Sequence, residues 1–204
     1  MATFYTADTH FGHANLLNLS GARGAAFSSI EEMNETLIAN WNNTVSVKDT
    51  VWVLGDFDMG GKDASLALLP RLNGTKILIA GNHDRCWAGA RNSWLQRARY
   101  LDAGFAAILD WAVTTLPSPR KNKQNLRVML SHFPYGGDSH GDDRYAGARL
   151  RDEGVPLLHG HVHEAFRERR SERGTWMVNV GVDLWDYRPV SESELAVHLS
   201  ALGK

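Results

Sequence analysis

Lys76-Ile-Leu-Ile-Ala-Gly-Asn-His-Asp84 joins a short β-prone run to a polar segment. Residues 76–80 are typical of a buried strand, and Gly81 ends it. After the glycine, Asn82 offers a neutral oxygen ligand, His83 can donate a proton, and Asp84 can orient that imidazole. A polar turn between a strand and a helix is the alternative interpretation, so the rest of the chain has to decide.

Four other strand-like runs end in the same way. They are residues 2–7 before Asp8 and His10, residues 50–54 before Gly55 and Asp56, residues 127–130 before Ser131 and His132, and residues 155–158 before Gly160, His161 and His163. Because α/β folds build sites at the carboxyl ends of strands, we expect these side chains to converge if the strands share a sheet. Taken singly, each run also fits a capped loop, a common turn or a structural histidine.

Helix signals separate these runs. Ser29 and Glu32 predict a capping box for a helix whose apolar face carries Ile30, Met33, Leu37, Ile38 and Trp41. Further helices are expected at residues 64–72, at residues 91–99, and after a second capping pair, Ser191 and Glu194. Residues 106–115 predict one strand, and residues 171–174 predict a hairpin turn. The alternation of strands and helices predicts an α/β fold.

Composition limits the function classes. A chain of 204 residues with 43% hydrophobic residues suits a single domain over residues 1–204 and excludes a disordered or collagen-like protein. The net charge of −1 gives no basis for tight, non-specific nucleic-acid binding. Cys86 is the only cysteine, and the start of the sequence lacks signal-peptide character, so a cytoplasmic protein without a membrane partner is expected. The chain has nine histidines, which points to metal ligation or proton transfer.

The five blocks together are more specific than any one of them. In the order Asp-x-His, Gly-Asp, Gly-Asn-His-Asp, a single His and Gly-His-x-His, they resemble the pattern of the calcineurin-like metallophosphoesterase superfamily. The tail, residues 179–190, is similar to a small branch found in bacteria and phages. The resemblance implies a four-layer α/β/β/α sandwich with two metals at the carboxyl edges of the strands.

The same resemblance implies a set of metal ligands. One metal would take Asp8, His10, Asp56 and His163, and the other would take Asp56, Asn82, His132 and His161. Both ions are expected to be divalent transition metals, with Mn first and Fe, Ni or Zn as alternatives, since the ligands mix nitrogen and oxygen. A metal-bridging hydroxide would attack phosphorus, while His83, with Asp84 behind it, would assist the leaving group.

Other side chains are candidates for substrate contact. His13 follows the first block closely, and the loop at residues 133–145 carries Tyr135, His140 and Arg144, of which Arg144 could clamp a phosphate. A loop histidine and an internal Asp–Arg pair are the alternatives. Asp58 and Asp183 are candidates for holding ligand histidines, or are turn residues. The four arginines within residues 167–173 fit a solvated hairpin, with nucleic-acid contact as the alternative.

The leading functional prediction is a dimetal phosphoesterase acting on a small phosphodiester or a nucleotide-type substrate. A nuclease or nucleic-acid end-processing enzyme is the first alternative, and it needs a basic groove. A phosphoesterase-like binding scaffold without activity is the second. The intact ligand set and the Asn82–His83 pair argue against that scaffold.

Overall fold

The computed structural model describes residues 1–59, 63–138 and 143–202. Its strands are β1 (Thr3–Thr6), β2 (Thr50–Val53), β3 (Thr75–Ile79), β4 (Phe105–Leu109), β5 (Trp111–Leu116), β6 (Leu126–Ser131), β7 (Leu157–His159), β8 (Glu168–Arg170), β9 (Trp176–Asn179) and β10 (Val190–Ser191). Its α-helices are α1 (Leu16–Leu19), α2 (Gly21–Ala26), α3 (Ile30–Thr44), α4 (Asp63–Leu66), α5 (Ser93–Ala103) and α6 (Glu192–Leu202). The predicted α/β class is confirmed.

The first sheet has the order β10-β1-β2-β3-β4, and its four longer strands are parallel. Alternate residues of a strand point to opposite faces, so each strand contributes to two cores. Phe4, Val51 and Leu78 pack in the core that contains the buried face of α3. Tyr5 and Ile79 lie in the other core, with residues of the second sheet.

The second sheet has the order β5-β6-β7-β9-β8. Val128, Leu158 and Val178 of this sheet share a core with the first sheet and with Leu195 and Leu199 of α6. The two sheets therefore lie face to face and bury a common apolar layer. The expected sandwich of sheets and helices is confirmed.

The strands that carry the predicted site do not all share one sheet. The runs before Asp8, Asp56 and Asn82 are β1, β2 and β3 of the first sheet, whereas those before His132 and His161 are β6 and β7 of the second. Convergence is nevertheless achieved, because hydrogen bonds join the strand ends across the sheets. The backbone N–H of His161 donates to both carboxylate oxygens of Asp8, at 3.0 and 3.1 Å.

Two predicted elements differ from the structure. Residues 106–115 form not one strand but two, β4 and β5, which belong to different sheets on either side of Asp110. Residues 64–72 do not form one helix: α4 ends at Leu66, and a separate 3-10 turn spans Leu69–Arg71. Pro70 lies in that turn, and because proline has no N–H it cannot continue an α-helical ladder.

Both predicted capping pairs are present. The hydroxyl of Ser29 accepts from the N–H of Glu32, and the carboxylate of Glu32 accepts from Ser28 rather than Ser29. At α6 the exchange is reciprocal: Ser191 accepts from the N–H of Glu194, whose carboxylate accepts from the N–H of Ser191. Within the described ranges, no helix is long and apolar enough to cross a membrane.

Candidate metal centre and substrate cleft

Loops after five strands bring the predicted ligands together. The N–H of Asp8 donates to the carbonyl of Gly55 and that of His10 to the carbonyl of Asp56, both at 3.0 Å. In the second sheet, the N–H of Gly160 donates to the carbonyl of His132 at 3.0 Å. These bonds continue the parallel pairing beyond the strands, so that the loops remain aligned where their side chains turn inward.

Six of the predicted ligands form two clusters. Asp8, His10 and His163 make one and Asp56, His132 and His161 the other, with one ligand-type atom of each residue within 4.8 Å of the others in its cluster. Oδ2 of Asp56 lies 3.3 Å from Nε2 of His132 and 3.8 Å from Nε2 of His10, between the clusters. The seventh, Asn82, places its Oδ1 3.1 Å from Nε2 of His132.

The backbone of the centre is held in an unfavourable conformation. Five of the seven predicted ligands, Asp8, His10, Asp56, His161 and His163, have positive φ values between 47° and 73°. Residues other than glycine rarely adopt this region, and when they do the cost is of order 1–3 kcal/mol each. Such strain persists only where surrounding structure enforces it, and it commonly marks functional sites.

Two motif glycines allow the loops to approach this closely. A Cβ atom at Gly55 would lie 2.4 Å from Nδ1 of His132, and one at Gly160 would lie 2.5 Å from a carboxylate oxygen of Asp8. Neither distance is tolerable for real atoms. Gly55 also has a φ of 86°, which glycine adopts without strain. Glycine is therefore required at these positions by the packing of the ligands themselves.

Burial sets the protonation of the imidazoles. It lowers the pKa of His10 well below its usual range and that of His161 to about 4, so both rings are neutral near pH 7. Burial also lowers the pKa of His132, but the adjacent Asp56 carboxylate outweighs this and raises it to about 9. Burial raises the pKa of Asp8 to about 6. Divalent transition metals bind neutral imidazoles and carboxylates, so an ion at His132 would have to displace the proton that Asp56 favours there.

His10 gives an independent test of whether a metal fits. Both of its ring nitrogens are buried, and neither has a hydrogen-bond partner among the residues that the structure describes. An unpaired buried polar group is costly, so a ring in this state requires another partner. Its neighbours are the carboxylates of Asp8 and Asp56, at 4.0 and 3.8 Å from Nε2. These residues fit a divalent transition metal ion.

Comparison with known proteins decides the family. The family model described as the calcineurin-like phosphoesterase superfamily domain matches residues 1–198. The chain belongs to this superfamily. It is 35% identical over 196 residues to the Gene 66 protein of Mycobacterium phage L5, covering 95% of this chain and 91% of that protein. This relative agrees with the resemblance to a small phage and bacterial branch.

Two further proteins match this chain over nearly its whole length. The uncharacterized protein MJ1445 of Methanocaldococcus jannaschii is 46% identical over 207 residues, covering 98% of this chain and 92% of that protein. The crystal structure of AQ665, a protein of unknown function from Aquifex aeolicus, superposes with a TM-score of 0.66 at 28% identity. That match covers 95% of this chain and 97% of the other.

Beside the clusters of this calcineurin-like phosphoesterase lies an open cleft of about 520 Å³. His83 lines it, with 36% of its side chain exposed and its Nε2 4.0 Å from a carboxylate oxygen of Asp56. Burial lowers the pKa of His83, so its ring is neutral near pH 7. His13 and Arg144, the candidates for substrate contact, also line the cleft.

Two predicted roles need correction. Asp84 does not touch the His83 ring: its buried carboxylate accepts from the N–H groups of Asp56, Phe57 and Gly81, at 2.8–3.0 Å. Because these three N–H groups come from the loops after β2 and β3, the carboxylate of Asp84 holds the two loops together. Tyr135 is not among the described residues that line the cleft. Its hydroxyl donates to the carbonyl of Val155 at 2.8 Å instead.

Arg23 has a structural role that the sequence did not indicate. It is fully buried, and its guanidinium donates to both carboxylate oxygens of Asp183, at 2.6 and 2.9 Å. It also donates to the backbone carbonyls of Asp8 and Thr9. Asp183 in turn lies 3.4 Å from Nδ1 of His163, so the expectation that it holds a ligand histidine agrees with the geometry. A lone arginine in an Ala/Gly-rich segment carries no motif, which is why the sequence missed it.

Asp138 forms the internal Asp–Arg pair that was the alternative interpretation of the loop at residues 133–145, and its contact with His161 was not indicated by the sequence. Its carboxylate accepts from Arg144 at 3.1 Å and lies 3.2 Å from Nε2 of His161, so it connects the cleft arginine to a predicted ligand. Asp58, the other aspartate expected to hold a ligand histidine, instead accepts from the hydroxyl of Tyr100 at 2.7 Å. His140, also expected near the pocket, lies outside the described residues.

The arginines of the 167–173 hairpin make contacts within the chain. Arg167 lies over the ring of Trp185 at 4.1 Å and donates to the carbonyl of Leu184, and Arg170 lies over Trp176 at 4.2 Å. Guanidinium groups stacked on aromatic rings are stabilised by the ring quadrupole. These contacts favour the structural interpretation of the cluster.

Proposed function

We propose that this protein is a divalent-metal-dependent phosphodiesterase that acts on a small or nucleotide-type substrate. Members of its superfamily generally hydrolyse phosphoesters with divalent metals. The observation that carries the proposal is the position of Asp56, which belongs to one cluster of ligand-type groups and lies 3.8 Å from Nε2 of His10 in the other, beside an open cleft.

The residues divide by role. Asp8, His10, Asp56 and His163 would hold one ion, and Asp56, Asn82, His132 and His161 the other. Divalent ions held there would neutralise the negative charge of the phosphate and make hydroxide available near neutral pH. Mn²⁺ is the ion we propose first, since imidazole and carboxylate ligands together suit the transition metals.

Two side chains of the cleft would bind the phosphate and assist the leaving group. The guanidinium of Arg144 donates to Asp138 at 3.1 Å and lines the cleft, and it would bind the non-bridging phosphoryl oxygens. The neutral ring of His83 would donate a hydrogen bond to the leaving oxygen, which carries developing negative charge, and the protonated ring would donate a proton to it. Arg144 is the one permanently charged cation among the described lining residues, and the preference for a phosphodiester over a monoester is the part of the proposal that the substrate panel tests.

A substrate panel tests the proposal. Protein reconstituted with Mn²⁺ is assayed on p-nitrophenyl phosphate, bis-p-nitrophenyl phosphate, cyclic nucleotides, and single- and double-stranded nucleic acids. We expect hydrolysis of bis-p-nitrophenyl phosphate to exceed that of the monoester, with nucleic acids uncut. Cleavage of nucleic acids would favour the nuclease alternative. Faster monoester hydrolysis, or no turnover of any substrate by metal-loaded protein, would contradict the proposal.

A further inference from the structure

Large apolar side chains line the cleft together with the predicted ligands. They are Leu16 and Leu19 of α1 and Met59 after β2, and we call these three residues the apolar shelf. Leu19 is 74% exposed and Met59 is 39% exposed, and both of these side chains line the cleft. Apolar groups left open in a cleft beside polar groups are typical of a ligand-binding surface.

The apolar shelf is fixed to the predicted metal centre. The hydroxyl of Ser20, between α1 and α2, donates to the carboxylate of Glu164 at 3.3 Å, next to His163. In α2, Arg23 holds the backbone of Asp8 and the carboxylate of Asp183. A Cβ atom at Gly24 would lie 2.3 Å from the carbonyl oxygen of Leu17, so the two short helices pack in direct contact. The two helices that follow His13 are therefore held against the segments that carry Asp8 and His163.

We infer that the apolar shelf binds a planar aromatic ring, an aryl group or a nucleobase, carried by one ester arm of the substrate. The inference rests on the proposed function, since the phosphate would lie between Arg144 and the ligand clusters. A methionine thioether makes favourable contacts with aromatic rings, and the leucines that line the same cleft add apolar surface. A short alkyl ester would leave Leu19 and Met59 in contact with water, so it would gain little binding free energy from them.

The test compares phosphate ligands that differ only in the attached group. Methyl phosphate, phenyl phosphate and adenosine 5′-monophosphate are titrated into Mn²⁺-loaded protein by calorimetry, and their inhibition constants are measured against bis-p-nitrophenyl phosphate. We expect phenyl phosphate to bind at least about tenfold more tightly than methyl phosphate. Comparison with adenosine 5′-monophosphate shows whether a nucleobase or a simple aryl ring is preferred. Equal binding of methyl and phenyl phosphate overturns the inference.

Variants locate the effect. The double variant Leu19→Ser/Met59→Gln should bring the phenyl-to-methyl affinity ratio close to one, and exposed positions of this kind tolerate polar residues without loss of the fold. Val47→Ser is the matched control, because Val47 is 72% exposed and does not line the cleft, and it should leave the ratio as in the wild type. A ratio unchanged in the double variant overturns the inference. Calorimetry needs no turnover, so the inference and the proposed function can fail separately.

Discussion

At the scale of single residues, His83 is distinguished from the predicted ligands by its exposure. Its side chain is 36% exposed in the cleft, whereas those of His10, His132 and His161 are buried. We expect His83→Ala to lower turnover of bis-p-nitrophenyl phosphate by about 10²–10⁴-fold, the usual contribution of a general acid. Metal content, measured by elemental analysis, should stay near that of the wild type. Large metal loss in this variant would instead make His83 a ligand.

Arg23 supports a prediction about stability. Removing one partner of a buried ion pair leaves the other charge uncompensated, so Arg23→Met should lower the free energy of unfolding by about 3–5 kcal/mol. Urea denaturation measures this change. The exposed pair between Arg71 and Glu35 has similar bidentate geometry, and Arg71→Met is the matched control with a much smaller expected effect. Equal losses in the two variants would refute a special role for the buried pair.

The ligand-type residues could be recognised in the sequence because they directly follow five of the strands, β1, β2, β3, β6 and β7. The sequence pattern did not indicate Arg23, which lies 160 positions from Asp183 in the chain and is joined to it only by the fold. It also misplaced Asp84, since neighbouring positions in a motif do not reveal which way a side chain points. The carboxylate of Asp84 turns towards the N–H groups of two loops rather than towards His83.

At the scale of elements, the capping box of α6 gives a pH-dependent prediction. Hydrogen bonds from Arg188, together with those from Ser191, lower the pKa of Glu194 to about 2. A lowered pKa in the folded state means that the carboxylate contributes stability above its unfolded pKa, and that this contribution is lost as pH falls towards 2. Glu194→Gln should therefore lower the free energy of unfolding at pH 7, and the difference from the wild type should shrink between pH 5 and pH 3.

The control for this prediction is Glu31→Gln. Glu31 is an exposed glutamate in the first turn of α3. The free energy of unfolding of Glu31→Gln should differ little from that of the wild type at pH 7 and at pH 3. A difference for Glu194→Gln that stays constant from pH 7 to pH 3 would exclude ionisation of Glu194 as the source.

The elements also show what local patterns leave out. Both capping pairs were predicted because an N-cap needs only residues within one helical turn. The division of residues 106–115 into β4 and β5 was not predicted, because both halves are equally β-prone. Only the tertiary fold assigns them to different sheets. At residues 64–72 the apolar pattern is helical, and Pro70 is the one signal in the sequence that the helix ends before it.

At the scale of the whole molecule, the two sheets meet where buried acidic and imidazole groups converge. A ligand that binds the folded state alone stabilises it, by about 2.7 kcal/mol when its free concentration is 100 times Kd. We expect Mn²⁺ to raise the melting temperature of chelator-treated protein, because it would compensate the charges of Asp8 and Asp56. Calorimetric melting with and without Mn²⁺ measures this shift. An unchanged melting temperature with bound metal would contradict coupling between the centre and the fold.

The central claim is that the strand ends of both sheets build one centre for two metal ions, joined by Asp56. The most direct test measures Mn content per chain and hydrolysis of bis-p-nitrophenyl phosphate in the same samples of wild type and Asp56→Asn. We expect the wild type to bind two ions per chain and to hydrolyse the substrate. We expect the variant to lose both ions and its activity. An Asp56→Asn protein that keeps two fully occupied metals and unchanged activity would contradict this claim.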